Sequence, residues 1–217
     1  MKISKRISKI LDFIEVEDKV ADIGCDHGYL GLGCIQKGVT FVQNIDNKIG
    51  PLNTAKRNLQ EYVDSNIIYT LCDGLNELDE RVDTIVISGM GGDLITQIIN
   101  ENLDKAKKLK KIIIVAHSKV PFLRKNLTKY FSIIDEDLVE DNGKIYEIIV
   151  FNPCESFGYN EKELLFGPIL IKEKNSLFIK KIEKRLTEIN KILSSTSDTN
   201  LKMLLLEKTY IEELLQK

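Results

Sequence analysis

Four short segments carry side chains able to do chemistry: Ala21-Asp22-Ile23-Gly24-Cys25-Asp26-His27-Gly28, Asp46-Asn47, Asp73-Gly74 and Gly89-Met90-Gly91-Gly92. In the first, Gly24 and Gly28 frame an acidic centre at Asp26, and Asp22 precedes the turn. A dinucleotide site uses G-x-G-x-x-G, so that backbone amides can approach a pyrophosphate. Carboxylates at Asp22 and Asp26 would repel that ligand and attract a cationic one, such as the ammonium and sulfonium groups of S-adenosylmethionine (SAM). Asp46, with Asn47 beside it, is suited to accept both hydroxyls of a ribose. Asp73, followed by Gly74, is suited to take an adenine amino group. Glycines on either side of Met90, Gly89 first, let backbone come close to a cofactor and to a target. Each segment alone is weak, because strand-end carboxylates usually cap helices and glycines usually make turns. It is their order along the chain that points to SAM.

The elements that must position these groups follow from periodicity. Ile3, Ile7, Ile10, Leu11 and Ile14 are spaced for an amphipathic helix over 3–14. Strands are expected at 19–23, 40–45, 67–72, 84–88 and 111–116, with helices at 29–37, from near Pro51, and at 94–102. Alternation at this spacing predicts a parallel, doubly wound sheet, whose ligands sit at the carboxyl ends of its strands. The acidic and glycine segments fall at those ends. Strands at 131–138 and 145–151, joined through Asn142-Gly143, predict an antiparallel hairpin at one edge. Beyond Pro153 the pattern becomes helical. Phe178, Ile182, Leu186, Ile189 and Leu193 form one coiled-coil-like stripe, and Leu201, Leu204, Leu205, Ile211, Leu214 and Leu215 a second. A polar break at 194–200 separates them, so two antiparallel helices are expected. The domains expected are therefore 1–153 and 154–217.

Composition sets limits. A net charge of −2 predicts no general affinity for nucleic acid, so any RNA contact must come from a local basic patch. One candidate combines Lys2, Lys5, Arg6 and Lys9 with Lys172, Lys174, Lys180, Lys181, Lys184 and Arg185; the run 105–111 is expected to be a solvated helix end. Cys25, Cys34, Cys72 and Cys154 are scattered, which speaks for reduced thiols and against a metal site. No stretch reaches the roughly 20 apolar residues needed to span a bilayer, so a cytoplasmic protein is expected, with no obligate protein partner evident. The methylated atom is partly legible by exclusion. Ser88-Gly89-Met90-Gly91-Gly92 does not match the Pro-Pro-aromatic motif usual for exocyclic amines. Methylation of a pyrimidine carbon needs a cysteine nucleophile; Cys72 and Cys154 look poorly placed, and Cys25 looks structural. A ring nitrogen with a lone pair needs neither device.

Ser4-Lys5-Arg6-Ile7, the segment from Ala21 to Leu30, Gly50-Pro51, Asp73-Gly74-Leu75, Gly89-Met90-Gly91-Gly92, Gly143-Lys144-Ile145-Tyr146-Glu147-Ile148 and Leu165-Phe166-Gly167-Pro168 together resemble the bacterial TrmK-type tRNA (adenine-22-N1)-methyltransferases. That resemblance implies a Rossmann-like SAM-methyltransferase sheet followed by a coiled-coil domain that contacts tRNA. It implies that Asp26 faces the target base and that Arg6 of the first helix faces the substrate cleft. Beside these, His27 and Tyr29 are read as catalytic candidates next to Asp26, and Lys5 as a further substrate contact. His27 could equally hold the loop, and Tyr29 could pack against the cofactor. One segment departs from the family: Ile114-Val115-Ala116-His117 stands where Leu-Gln-Pro-Asn is typical, leaving His117 as the hydrogen-bonding residue there. Two other outcomes stay open: a SAM methyltransferase for another substrate, and a non-catalytic RNA-binding protein that retains the fold.

Overall fold

The computed structural model describes residues 3–62, 66–153, 158–195 and 201–216. They divide into two compact units, Met1–Gly158 and Tyr159–Lys217. The first runs α1 (Lys5–Leu11), β1 (Lys19–Ile23), α2 (Tyr29–Lys37), β2 (Phe41–Asp46), α3 (Ile49–Asn58), β3 (Asn66–Leu71), β4 (Thr84–Ser88), α4 (Gly92–Glu101), α5 (Leu103–Ala106), β5 (Lys111–Val115), α6 (Val120–Leu127), β6 (Ser132–Asp141) and β7 (Lys144–Asn152). The strands form one sheet in the order β3-β2-β1-β4-β5-β7-β6. The first five are parallel, and β7 lies antiparallel to both β5 and β6. This is the Rossmann-like arrangement with an edge hairpin that the alternation predicts. Sheet order reverses between β1 and β4, which opens a crevice at their carboxyl ends.

The core shows why the first helix belongs to this unit. Ile10 and Ile14 are fully buried and pack with Leu30 and Cys34 of α2 and with Val20, Val42, Val86, Ile113 and Val150 on one sheet face. The hydroxyl of Ser4 caps α1 by accepting the Ile7 N–H at 3.2 Å. The helix is shorter than the periodic run from 3 to 14, because after Leu11 the chain turns while still delivering Ile14 to the core.

The sequence pattern did not disclose α6. Its buried face carries a cation, Arg124, which ion-pairs with Glu136 of β6 and Glu147 of β7 inside the protein. A buried charge is tolerated only when paired, so this triad clamps α6 against the hairpin. Gly92 makes a second junction. A Cβ there would lie 2.7 Å from the carbonyl oxygen of Lys119 and 2.8 Å from that of Ser118, and its N–H donates to Ser118 at 2.9 Å. The loop after β4 is thus held directly against the segment after β5.

The run 105–111 is not simply solvated. The Lys105 ammonium bonds the Leu75 and Asn76 carbonyls, Lys110 pairs with Glu15 and Asp18, and Lys111 pairs with Asp18 at 2.9 Å. Asp18 is fully buried and needs those cations.

In the second unit, α7 (Glu161–Phe166), α8 (Leu170–Glu173), α9 (Ser176–Ser195) and α10 (Lys202–Leu215) follow one another. Lys174 donates to the Leu214 carbonyl and Arg185 pairs with Glu207, so α9 and α10 run antiparallel. Phe178, Ile182 and Ile189 are buried on one helix, Ile211 and Leu214 on the other. Leu205 is an exception to the expected stripe: it is 51% exposed, because Leu204 already occupies the inward position of that turn. Residues 196–200, most of the polar break, lie outside the described residues.

Candidate active site

A cavity of about 690 Å³ sits at the carboxyl ends of β1, β2 and β4. Its floor is built by the turn after β1. The Gly24 and Cys25 N–H groups both donate to the Ile45 carbonyl, at 2.8 and 2.9 Å, tying that turn to β2. Gly24 has φ +77°, and a Cβ on it would come within 2.3 Å of the Met90 side chain. The loops after β1 and β4 therefore approach closely, and the positive φ favours glycine at this position.

Asp26 holds a left-handed conformation with φ +47°. Its N–H donates to Oδ2 of Asp46 at 3.3 Å, while the Lys48 N–H donates to Oδ1 at 3.0 Å. The Asp46 carboxylate is thereby oriented, with acceptor capacity left on both oxygens. The Asn58 amide bonds the His27 carbonyl at 2.9 Å and anchors the far side of the loop. The side chains of Asp26 and His27 lie 3.5 Å apart at the rim and are 72% and 49% exposed. The rings of His27 and Tyr29 lie 5.7 Å apart.

Asp22 is the opposite case. It is 5% exposed, and burial, then the nearby carboxylates of Asp46 and Asp26, push its carboxyl up to about 7. Three acids thus converge with a buried one poised at neutrality, an arrangement that a bound cation would relieve. Asn47, Asp73, Gly74, Ser88, Gly89 and Met90 line the same cavity.

The wall opposite Asp26 is made by α1 and the segment after β5. The guanidinium of Arg6 donates to Nε2 of His117 at 3.0 Å, which places the imidazole proton on Nδ1. Arg6 also lies 5.0 Å from the Tyr146 ring centroid, and His117 lies 5.5 Å from the same ring. Burial, then the charges of Arg6 and Lys144, lower the His117 pKa, so the ring is neutral at neutral pH. The His117 N–H donates to the Met90 carbonyl at 2.9 Å, linking this wall to the floor.

Most of the site residues expected from sequence come together here, but Lys5 does not. It is exposed and absent from the cavity lining, because its neighbour Arg6 occupies the inward position on α1. Lys9 pairs with Asp137 at 2.6 Å and Arg185 with Glu207 at 2.7 Å, so neither is the uncompensated cation that a phosphate clamp requires. Lys2 lies outside the described residues, as does Cys154. Cys72, which looked poorly placed, in fact lines the cavity. Burial pushes the thiols of Cys72 and Cys25 up, so neither supplies a thiolate nucleophile. Tyr146, Lys48, Leu94 and Ile98 were missed. Tyr146 lies within the Gly143–Ile148 segment, but its packing against Arg6 depends on a strand far away in sequence. Nothing in their spacing separates Leu94 and Ile98 of α4 from ordinary core residues. Among the described residues, no group of His, Cys, Asp and Glu could hold a metal ion, and no helix is long and apolar enough to cross a membrane.

An open sheet that gathers carboxylates at its switch point, without a phosphate-binding glycine turn, is the arrangement of a SAM-dependent methyltransferase rather than a dinucleotide enzyme. A family model described as tRNA (adenine(22)-N(1))-methyltransferase, TrmK, matches residues 20–216. A Bacillus subtilis tRNA (adenine(22)-N(1))-methyltransferase is 32% identical over 214 residues, covering 92% of this chain and 89% of that protein. A Streptococcus pneumoniae structure in complex with S-adenosyl-L-methionine superimposes with a TM-score of 0.89 at 28% identity, covering 99% of this chain and all of that one. Mycoplasma capricolum TrmK bound to S-adenosylhomocysteine gives 0.83 at 26% identity, over 99% and 96% of the two chains. The chain belongs to the TrmK family of SAM-dependent tRNA methyltransferases.

Proposed function

We propose that this protein transfers a methyl group from SAM to N1 of adenine 22 in tRNA. The observation that carries this is the pairing of a buried, cation-seeking Asp22 with an exposed Asp26 on the same short loop. Asp22, Gly24, Asp46, Asn47, Asp73, Gly74, Gly89 and Met90 would hold the cofactor. Asp26, His27 and Tyr29 would face the target base, and Arg6 and His117 would border it on the opposite wall, with Lys5 at the outer surface. When bound, SAM supplies an electrophilic methyl group on a sulfonium, and its transfer to a ring nitrogen moves one positive charge from sulfur onto the base.

N1 attacks through its lone pair and loses no proton, so no general base is required. The work of this chain is positioning and electrostatics. Asp26, held in place through its backbone bond to Asp46, puts a carboxylate where the base becomes cationic. His117, with Nε2 engaged by Arg6, offers Nδ1–H as a neutral donor. N1 lies on the Watson–Crick edge, so the adenine must be unpaired or flipped out. The helices of residues 159–217, with exposed Lys172 and Lys184, would contact the tRNA body and contribute recognition by shape. Such a reaction belongs in the cytoplasm.

Incubation with SAM and unmodified tRNA, followed by mapping of N1-methyladenosine, tests the assignment directly. Product at position 22 is expected. SAM binding without product in any tRNA would direct the search to another substrate, a possibility raised by His117 in place of the family's asparagine. His117→Ala removes a hydrogen bond to a charged partner and should raise KM for tRNA roughly tenfold, with SAM affinity within twofold. Equal losses for tRNA and SAM would place His117 on the cofactor side.

A further inference from the structure

A second cleft, of about 830 Å³, adjoins the first and shares Asp26, His27 and Pro51 with it. Its other wall is α3, through Asn53, Thr54, Lys56 and Arg57. In a chain of net charge −2, α3 carries two cations and no acid. Neither cation pairs with a carboxylate of the described residues, in contrast to Lys9, Lys110, Lys111, Arg124 and Arg185. Both are nevertheless held in place. The Lys56 ammonium lies 5.5 Å from the Tyr69 ring centroid, and Nη2 of Arg57 donates to the Thr54 hydroxyl at 3.1 Å.

We infer that this cleft binds the RNA backbone next to the target nucleotide, with Lys56 and Arg57 contacting phosphodiester oxygens and Asn53 and Thr54 lining the passage. The inference rests on the tRNA reading above and names the surface that serves it. A base presented to Asp26 from solvent must bring its flanking phosphates past the rim. On the α3 side of that rim, the positive groups lining this cleft among the described residues are these two. Phosphate contacts of this kind fix register and orientation rather than sequence, and the guanidinium retains free donors in its fork for a phosphate.

The test compares wild type with K56A/R57A for tRNA binding across a salt series, for methylation kinetics and for SAM affinity. K108A/K125A, which removes two exposed lysines outside both clefts, is the control for bulk charge. The expected result is a KM for tRNA raised about tenfold, kcat within twofold, SAM affinity unchanged, and a salt slope shallower by roughly one to two. An unchanged slope and tRNA affinity would overturn the inference, as would an equal loss in the control. Unchanged SAM affinity also reports that the variant is folded; K56Q/R57Q serves if it is not. If wild type binds tRNA but makes no N1-methyladenosine, the methylation assignment fails, while the binding comparison still decides the role of α3.

Discussion

Asp22→Asn is expected to abolish useful SAM binding and, at the same time, to make the ligand-free protein more stable. The two effects have one cause. Burial and the carboxylates of Asp46 and Asp26 push the Asp22 carboxyl up to about 7, far above an ordinary aspartate. A carboxyl whose pKa is raised by folding favours the native state fully only below the ordinary carboxylate range, and that contribution is lost as pH rises through 7. Relative to neutral asparagine, the wild type should therefore be penalised little near pH 4 and by about 4 kcal/mol at pH 8. In thermal melts without SAM, the variant should gain on the order of 10 °C at pH 8, and the gain should shrink as pH falls. A bound cation turns the ionised Asp22 from a burden into a partner. Its removal should weaken SAM by roughly 10²–10³-fold. Wild-type affinity should also fall as pH drops through 7, because protonated Asp22 no longer attracts an ammonium, whereas the variant should show no such dependence. Calorimetry and melting curves between pH 5 and 8 read both effects. A variant that keeps wild-type affinity, or that melts lower at pH 8, would remove Asp22 from the cofactor's charge balance.

Asp26→Ala should behave in the opposite way, losing turnover while SAM affinity stays within a few-fold. The side chain is largely exposed and only its backbone N–H touches Asp46, so truncation leaves the Asp46 carboxylate oriented. On the proposed mechanism, what disappears is a charge beside a base that becomes cationic, an effect worth about 10²-fold in kcat. Alanine also strains the left-handed conformation at φ +47°, by roughly 1–2 kcal/mol. Asp26→Asn controls for this, because asparagine tolerates that region and keeps a polar side chain. A similar loss in Asn and Ala would assign the effect to charge. Full activity in Asn would assign it to hydrogen bonding or loop shape, and a large loss of SAM affinity in both would move Asp26 to the cofactor.

Most of the first unit was legible in the sequence because its signals are local. Alternating apolar runs and glycine turns gave the five parallel strands, and Asn142-Gly143 gave the hairpin. α6 was not legible, because its buried face sets Arg124 beside Leu123 and Leu127, and the partners of that cation, Glu136 and Glu147, arrive from strands later in the chain. Leu205 failed for a related reason: two successive leucines satisfy a stripe on paper, yet only one direction of the helix meets α9.

The loop from Asp22 to Gly28, read in order with Asp46, Asp73 and Gly89, pointed to the kind of ligand. The charge of its carboxylates excludes a pyrophosphate, and its glycines fix where a turn must lie. Only the tertiary structure gave those carboxylates different roles. Burial beneath the switch point holds the Asp22 carboxyl up near neutrality, while a left-handed turn pinned to Asp46 lifts Asp26 to the rim. It also decided which cations are available. Lys9, Lys110, Lys111, Arg124 and Arg185 meet carboxylates brought in from other parts of the chain, and among the described residues Lys56 and Arg57 do not. Residue type sets the sign of a charge, but burial and the distance to its partners set what that charge can do.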